Sequence, residues 1–408
     1  MNDNKGFNYA FGVSRHSLRI FGVWPDPLVS LSDFHRPSIR FIIAMSIVLF
    51  YAIMPTTINT IRAWGNVIRM VEGIATTNFC MLALCKIFGT WYHRKTLRTL
   101  MTSIMTDWTS KNNEERNTML HITRRGRILC ITCYAMMIIL ISFFINSNLI
   151  KIFRNISQPQ RTLVYPFNYF YNSQKSPNYE ITCLFQLIAG ACSCFINSSI
   201  DVFISLLLLH ICAQLINLRM ALNNLVDKLA EGSISSSSFK KGLAEITTRH
   251  EHLIRNTKIV NNCYSIILFL HMFATTFQLC FKSFQFFTII IRHLDVPIIT
   301  KIYALLYFIY ELMHLYIYCY SAERLLTESV NMMHGAYECK WYDLPSKDAK
   351  NLIFMIRRSA IPFRLKAGKF GTFSIEMFGN VRYLKRKYSI FHTYYKTKYL
   401  IFNIQQRE

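Results

Sequence analysis

Residues 128–147 read ILCITCYAMMIILISFFINS, twenty consecutive positions without one Asp, Glu, Lys or Arg. A helix needs ~20 predominantly apolar residues to cross the hydrocarbon core of a bilayer. Lipid offers no partner to a backbone N–H or C=O, so a chain crossing it must satisfy those groups within a helix or a closed barrel. The same test finds seven candidate spans, at about 41–61, 70–91, 128–147, 181–212, 259–290, 298–320 and 370–392. Pro55 is expected to kink the first. The second is the weakest, because Glu72 and Lys86 bracket its uncharged core. The fourth carries only Asp201 and His210, and the fifth opens with 23 residues free of Asp, Glu, Lys and Arg. The expected fold is an all-α polytopic membrane bundle of seven transmembrane helices forming one domain over 1–408.

Composition agrees. Only 17% of the 408 residues are charged and 52% are apolar, where soluble proteins average about 25% charged. The first 37 residues lack a continuous apolar run, so no cleavable signal peptide is expected. Lys and Arg outnumber Asp and Glu 46 to 22, but these cations sit between uncharged stretches and form no basic face of the kind that binds nucleic acid. Their distribution sets an orientation, since cytoplasmic segments retain an excess of Lys and Arg. The segment to residue 37 has four, 92–127 has eight, 213–258 has seven and 321–366 has eight; the alternate segments 62–69, 148–180 and 292–301 have two, four and two. The expectation is a cytoplasmic N-terminus (1–40) and an extracellular C-terminus, the reverse of a G-protein-coupled receptor.

Eleven of the twelve cysteines lie in or beside apolar runs, and the lone Cys130-x-x-Cys133 pair has no second half to complete a zinc site; packing roles are expected. No phosphate loop, dinucleotide fingerprint, zinc helix or nucleophile elbow occurs, which argues against an enzyme and against any cofactor. Past the fourth span, Leu215, Leu218, Leu222, Leu225 and Leu229 continue an apolar stripe at helical spacing. A long helical extension on the cytoplasmic side is therefore expected, with the serine run 233–238 as a flexible connection to a second.

The last third carries the most specific pattern: Trp341, Leu344, Leu352, Met355, Arg358, Ser359, Pro362, Leu365, Ala367 and Gly368, then Ser374, Glu376 and Phe378. In order and spacing this resembles the insect odorant receptors. The Thr-Tyr and Gln-Phe signature of the related gustatory receptors is absent; a gustatory-type subunit of the same superfamily is the alternative, with a metabotropic seven-helix receptor behind it. The resemblance implies the odorant-tuning subunit of a ligand-gated, non-selective cation channel, a heterotetramer with the odorant co-receptor, in the plasma membrane of olfactory neuron dendrites. It also implies that Trp341, Leu344, Met355, Arg358, Ser359, Pro362 and Leu365, within a cytoplasmic region 321–369, form the subunit anchor. Glu376, Phe378 and Val381 would then belong to the pore helix 370–392.

A small volatile ligand calls for a mostly apolar pocket, expected among the six spans of 41–320. Candidates in its outer half are Thr76, Phe79, Ile141, Phe144, Phe185, Ile188, Tyr303 and Tyr307, each of which also suits a plain bundle contact. Tyr303 and Tyr307, four apart, share one helix face. Charges in membrane segments point to function by default, which singles out Lys86, Asp201, Glu311 and His314. Lys86, Glu311 and His314 alternatively lie near the water layer or pair within the bundle, and Glu311 and His314, three apart, suit each other. Asn155-Ile156-Ser157 is a glycosylation sequon in an expected outer loop.

After Val381 the chain becomes Arg382-Tyr383-Leu384-Lys385-Arg386-Lys387, and 382–408 holds seven Lys or Arg. Each such cation at a span centre costs ~2.5–3.5 kcal/mol on insertion scales. The expectation is that 382–408 is translated intron or an alternative ending in place of a working pore helix.

Overall fold

A computed structural model describes residues 5–28, 38–109, 112–154, 161–167, 169–291, 298–368 and 371–376. Among the described residues ten α-helices run in chain order: α1 Lys5–Ile20, α2 Ile39–Val48, α3 Met54–Arg62, α4 Val67–Tyr92, α5 Arg94–Asp107, α6 Asn113–Arg154, α7 Asn178–Ala230, α8 Ser236–Ile291, α9 Ile298–Glu338 and α10 Ser346–Ser359. A two-residue antiparallel pair, Lys366–Ala367 with Gly371–Thr372, follows α10. Among the described residues six helical stretches are long and apolar enough to cross a membrane, Ile39–Arg62 being the first and Lys301–Asp343 the last. They match the first six expected spans; the seventh, at 370–392, falls outside the described residues beyond 376.

Pro55 does not break the first span. A π-helical turn at Leu49–Ile53 precedes it and places Pro55 in the first turn of α3. There a missing N–H costs little and the wider turn makes room for the ring.

The radial order follows from how apolar each helix is all round. In its most apolar 18-residue window α7 is 94% buried, against 22% for α6, so α7 is the central post and α6 faces outward. The post packs on α4, α6, α8 and α9, with α1 and α2 against it as well. Small residues permit the close crossings: a Cβ on Gly89 of α4 would lie 2.2 Å from Ile267 Cδ1 on α8.

The expected extension is present. Helix α7 runs unbroken to Ala230, and Leu215, Leu218, Leu222 and Leu229 are buried with Leu225 packed beside them. The serine run is only partly a connection. Gly232, at φ +72°, turns the chain, and Ser236 already begins α8. Ser235 Oγ accepts from the Ser238 N–H at 3.3 Å, which satisfies one orphan donor of the new helix. All twelve cysteines are free, and nine of them are buried.

Candidate ligand-binding cavity

Seven segments meet around a cavity of about 470 Å³ at one end of the bundle. Pro55, Thr56 and Asn59 come from α3, Arg69 to Cys80 from the start of α4, and Leu140 to Ile152 from the end of α6. Gly190 and Cys194 lie early in α7, Lys282 late in α8, and Tyr303, Ala304 and Tyr307 early in α9. The segment 162–166 completes the wall. Its backbone is pinned by a side chain from α7: Gln186 Oε1 accepts from the Tyr165 N–H at 3.1 Å and Gln186 Nε2 donates to the Tyr165 carbonyl at 2.8 Å. Tyr179 adds a third tie, donating to the Thr162 carbonyl at 2.9 Å.

Six of the eight residues singled out from sequence line this cavity: Thr76, Phe79, Ile141, Phe144, Tyr303 and Tyr307. Their rings form a connected wall, with Phe144 to Tyr303 and Tyr303 to Tyr307 both at 6.3 Å and Phe79 edge-on to Tyr307 at 5.8 Å. Phe185 and Ile188 are not among the lining residues; Phe185 instead stacks on Tyr51 at 4.9 Å. Helix α7 presents Cys194 and Gly190 here instead, and a Cβ on Gly190 would come within 2.7 Å of the Phe144 ring and 3.0 Å of the Tyr165 hydroxyl. Sequence reading missed Lys282 and Ser147. Lys282 directly follows the 23 uncharged residues of the fifth span, so its charge was the available signal.

Below the cavity the membrane charges converge on one carboxylate. Asp201 of α7 is fully buried; its Oδ1 lies 2.6 Å from Lys86 Nζ of α4 and accepts from the Tyr318 hydroxyl at 2.5 Å. Its Oδ2 faces His314 Nδ1 of α9 at 2.5 Å. The carboxylate has no proton to give, so the imidazole donates. Ser198 Oγ sits 3.3 Å from His314 Nε2 and 3.0 Å from the Tyr310 hydroxyl, and the Tyr310 ring touches Phe79 of the cavity wall at 6.3 Å. The polar chain thus reaches from the cavity to Tyr318, whose ring lies 5.6 Å from that of Phe373.

Lys86, Glu311 and His314 accordingly pair within the bundle. The expected Glu311 to His314 contact does not form, because His314 turns to the carboxylate of α7. Glu311 takes Gln278 as its partner, whose amide nitrogen donates to the carboxylate, 2.8 and 3.1 Å from its two oxygens, and lies 3.0 Å from the Tyr307 hydroxyl.

At the far end, the residues of the Trp341 motif divide into two sets. Leu344, Met355 and Leu365 are buried in the chain's own core. Arg358 grips Glu251 of α8 through both Nε and Nη2, the latter at 2.9 Å from Oε2. Ser359 Oγ returns to the Met355 carbonyl at 2.9 Å, and Pro362 precedes Phe363, whose N–H donates to Ser329 Oγ at 2.8 Å. Trp341 is exposed, as are Tyr342 beside it and Ile353, Phe354 and Ile361 on and just after α10. Glu376 ends the last described segment; Phe378, Val381 and Asn155 lie outside the described residues.

Six membrane-length helices among the described residues, packed round a buried central post, define a polytopic helical membrane protein, and its aromatic-walled cavity has the size of a small-molecule site. Residues 66–383 match the family model of the 7tm Odorant receptor, and the chain belongs to that family; it is not an enzyme. The fold superposes on the insect olfactory receptor OR5 from Machilis hrabei with a TM-score of 0.80 at 15% identity, covering 95% of this chain and 98% of that one. Its structure in complex with eugenol gives 0.78. Odorant receptor 22c of Drosophila melanogaster is 21% identical over 377 residues, 87% of this chain and 91% of that receptor. The Odorant receptor coreceptor of Aedes aegypti is 28% identical over 134 residues, so the matched part spans 27% of the co-receptor's length.

Proposed function

We propose that this chain is an odorant-tuning subunit, which forms a ligand-gated, non-selective cation channel as a heterotetramer with the odorant co-receptor in the dendritic plasma membrane of olfactory sensory neurons. The observation that carries the reading is the cavity: six helices and one pinned loop line a volume within the 300–1,000 Å³ of small-molecule sites. Its aromatic wall touches the buried polar chain that leads to Phe373, at the start of the expected pore helix. A ligand that binds the open arrangement better than the closed one shifts the gating equilibrium by that difference. The eugenol complex of the Machilis receptor supports a small-molecule role for the same fold, and the exposed apolar residues around α10 supply a surface for assembly. The Lys and Arg alternation supports a cytoplasmic N-terminus, with 321–369 inside and the pore formed by 370–392 around Glu376, Phe378 and Val381.

The test is odorant-evoked current in oocytes expressing the chain with and without the co-receptor, carrying either its present ending or an apolar ending after Val381. Current that requires the co-receptor supports the subunit role, and current from the chain alone removes it. Silence from the present ending with current from the apolar one supports the reading of 382–408 as foreign to the channel; equal currents overturn that part.

A further inference from the structure

The lining of the cavity is unbalanced in charge. Among the described lining residues Arg69, Lys151 and Lys282 stand against one carboxylate, Glu72, an excess of two positive charges in a wall of aromatic, aliphatic and uncharged polar side chains. Glu311 is not a lining residue, and its carboxylate accepts from the Gln278 amide. Arg69 and Lys151 are exposed, so they charge the rim; Lys282 is half-buried, with its ammonium 5.3 Å from the centre of the Tyr307 ring. A cation held in a membrane helix is costly and marks function by default. A second observation points the same way. Ser147 is only 8% exposed, lines the same cavity, and its hydroxyl has no hydrogen-bond partner among the described residues. A buried hydroxyl left without a partner costs free energy that a bound acceptor would recover.

We propose that the ligand class of this cavity is the small organic acid, an aliphatic or aromatic carboxylate whose head group is held by Lys282 and Ser147 and whose carbon skeleton packs on Phe79, Ile141 and Phe144. This rests on the cavity being the ligand site. The cationic rim raises the local concentration of anions at the entrance, and Lys282 inside rewards the carboxylate with a charge-assisted hydrogen bond. A neutral ester or alcohol of the same skeleton gains the apolar contacts and forgoes the charge.

The test uses the purified full-length chain in lipid nanodiscs, reading the rise in melting temperature against concentration of octanoate, methyl octanoate and 1-octanol at neutral pH. Octanoate is expected to half-saturate at a concentration at least about tenfold below either neutral probe. In Lys282→Met the ratio falls to about one, whereas Lys282→Arg keeps it. Ser147→Ala, which spares the charge, narrows the ratio and serves should Lys282→Met fail to fold. Ala304→Trp, filling the cavity, removes the response to all three probes. Neutral probes acting at equal or lower concentration than octanoate, or a ratio unmoved by Lys282→Met, overturn the proposal; if Ala304→Trp still abolishes their effect, the cavity as ligand site stands. No stabilisation by any probe, or shifts indifferent to Ala304→Trp, overturns both.

Discussion

Lys86 of α4 and Asp201 of α7, 115 residues apart in the chain, form an ion pair at 2.6 Å with neither side chain reachable by solvent. Such a pair has lost its hydration, and only mutual attraction and further hydrogen bonds offset that loss. Asp201 is well supplied, with His314 and Tyr318 completing its shell. Lys86→Met leaves the carboxylate without its cation and is expected to cost ~3–5 kcal/mol, the usual penalty for breaking a buried pair. Adding Asp201→Asn to it keeps hydrogen-bonding groups against His314 and Tyr318 and removes the stranded charge. The double variant is therefore expected to melt above Lys86→Met, by thermal denaturation in detergent. A double variant melting below the single one would show that the charge itself is not the source of the loss.

Gly190 lets α7 approach the Phe144 ring at the cavity wall. Gly190→Val adds a side chain where even a Cβ stands 2.7 Å from that ring, which reduces the space for ligand. One methylene in an apolar pocket is worth ~1–3 kcal/mol. In a homologous series of agonists, the most potent member is expected to be one or two carbons shorter than for the unmodified chain. Dose–response curves of current measure this; an unchanged optimum counts against Gly190 as a wall of the site.

The Arg358 to Glu251 clamp joins the segment before Pro362 to α8. Both side chains are more than a third exposed, so solvent screening limits the pair to about 0.2–1 kcal/mol. Arg358→Ala is expected to lower thermal stability by no more than that. Arg358→Lys is expected to recover only part, because an ammonium cannot reproduce the two-pronged grip. Full recovery by lysine would reduce the clamp to a simple charge contact.

Ile353 and Phe354 are exposed on α10, at 62% and 65%. Replacing both by Ser removes side chains that are mostly in solvent, so stability is expected to stay close to that of the unmodified protein, within the ±0.5 kcal/mol usual for each surface change. Co-purification with the co-receptor is expected to fall several-fold. Unchanged co-purification would place the assembly surface elsewhere.

Asn155 is expected to carry the glycan if the loop it occupies is extracellular. A gel shift on glycosidase treatment that disappears in Asn155→Gln supports a cytoplasmic N-terminus; a shift that survives the substitution argues against that orientation.

Element placement was legible along the chain because membrane insertion is a local condition. A stretch near twenty residues without charge has few alternatives to a helix, whatever its neighbours, and all six described spans lie where the apolar runs put them. The Leu215 to Leu229 stripe announced the length of α7 for the same reason: helical spacing of apolar side chains is a one-dimensional property. The Trp341 to Leu365 pattern was specific enough to place the chain in its family. Tertiary structure alone decided which groups meet. Lys86, Asp201, His314 and Tyr318 sit on three helices, and nothing local says that one carboxylate gathers all three partners, or that His314 turns from Glu311 three residues away. Likewise, Phe144 lines the cavity because Gly190 on another helix leaves room, whereas Phe185 on that same helix turns to Tyr51. Pairing of buried polar groups and the sharing of interior space depend on which faces pack together, and those faces are fixed only when all helices have docked.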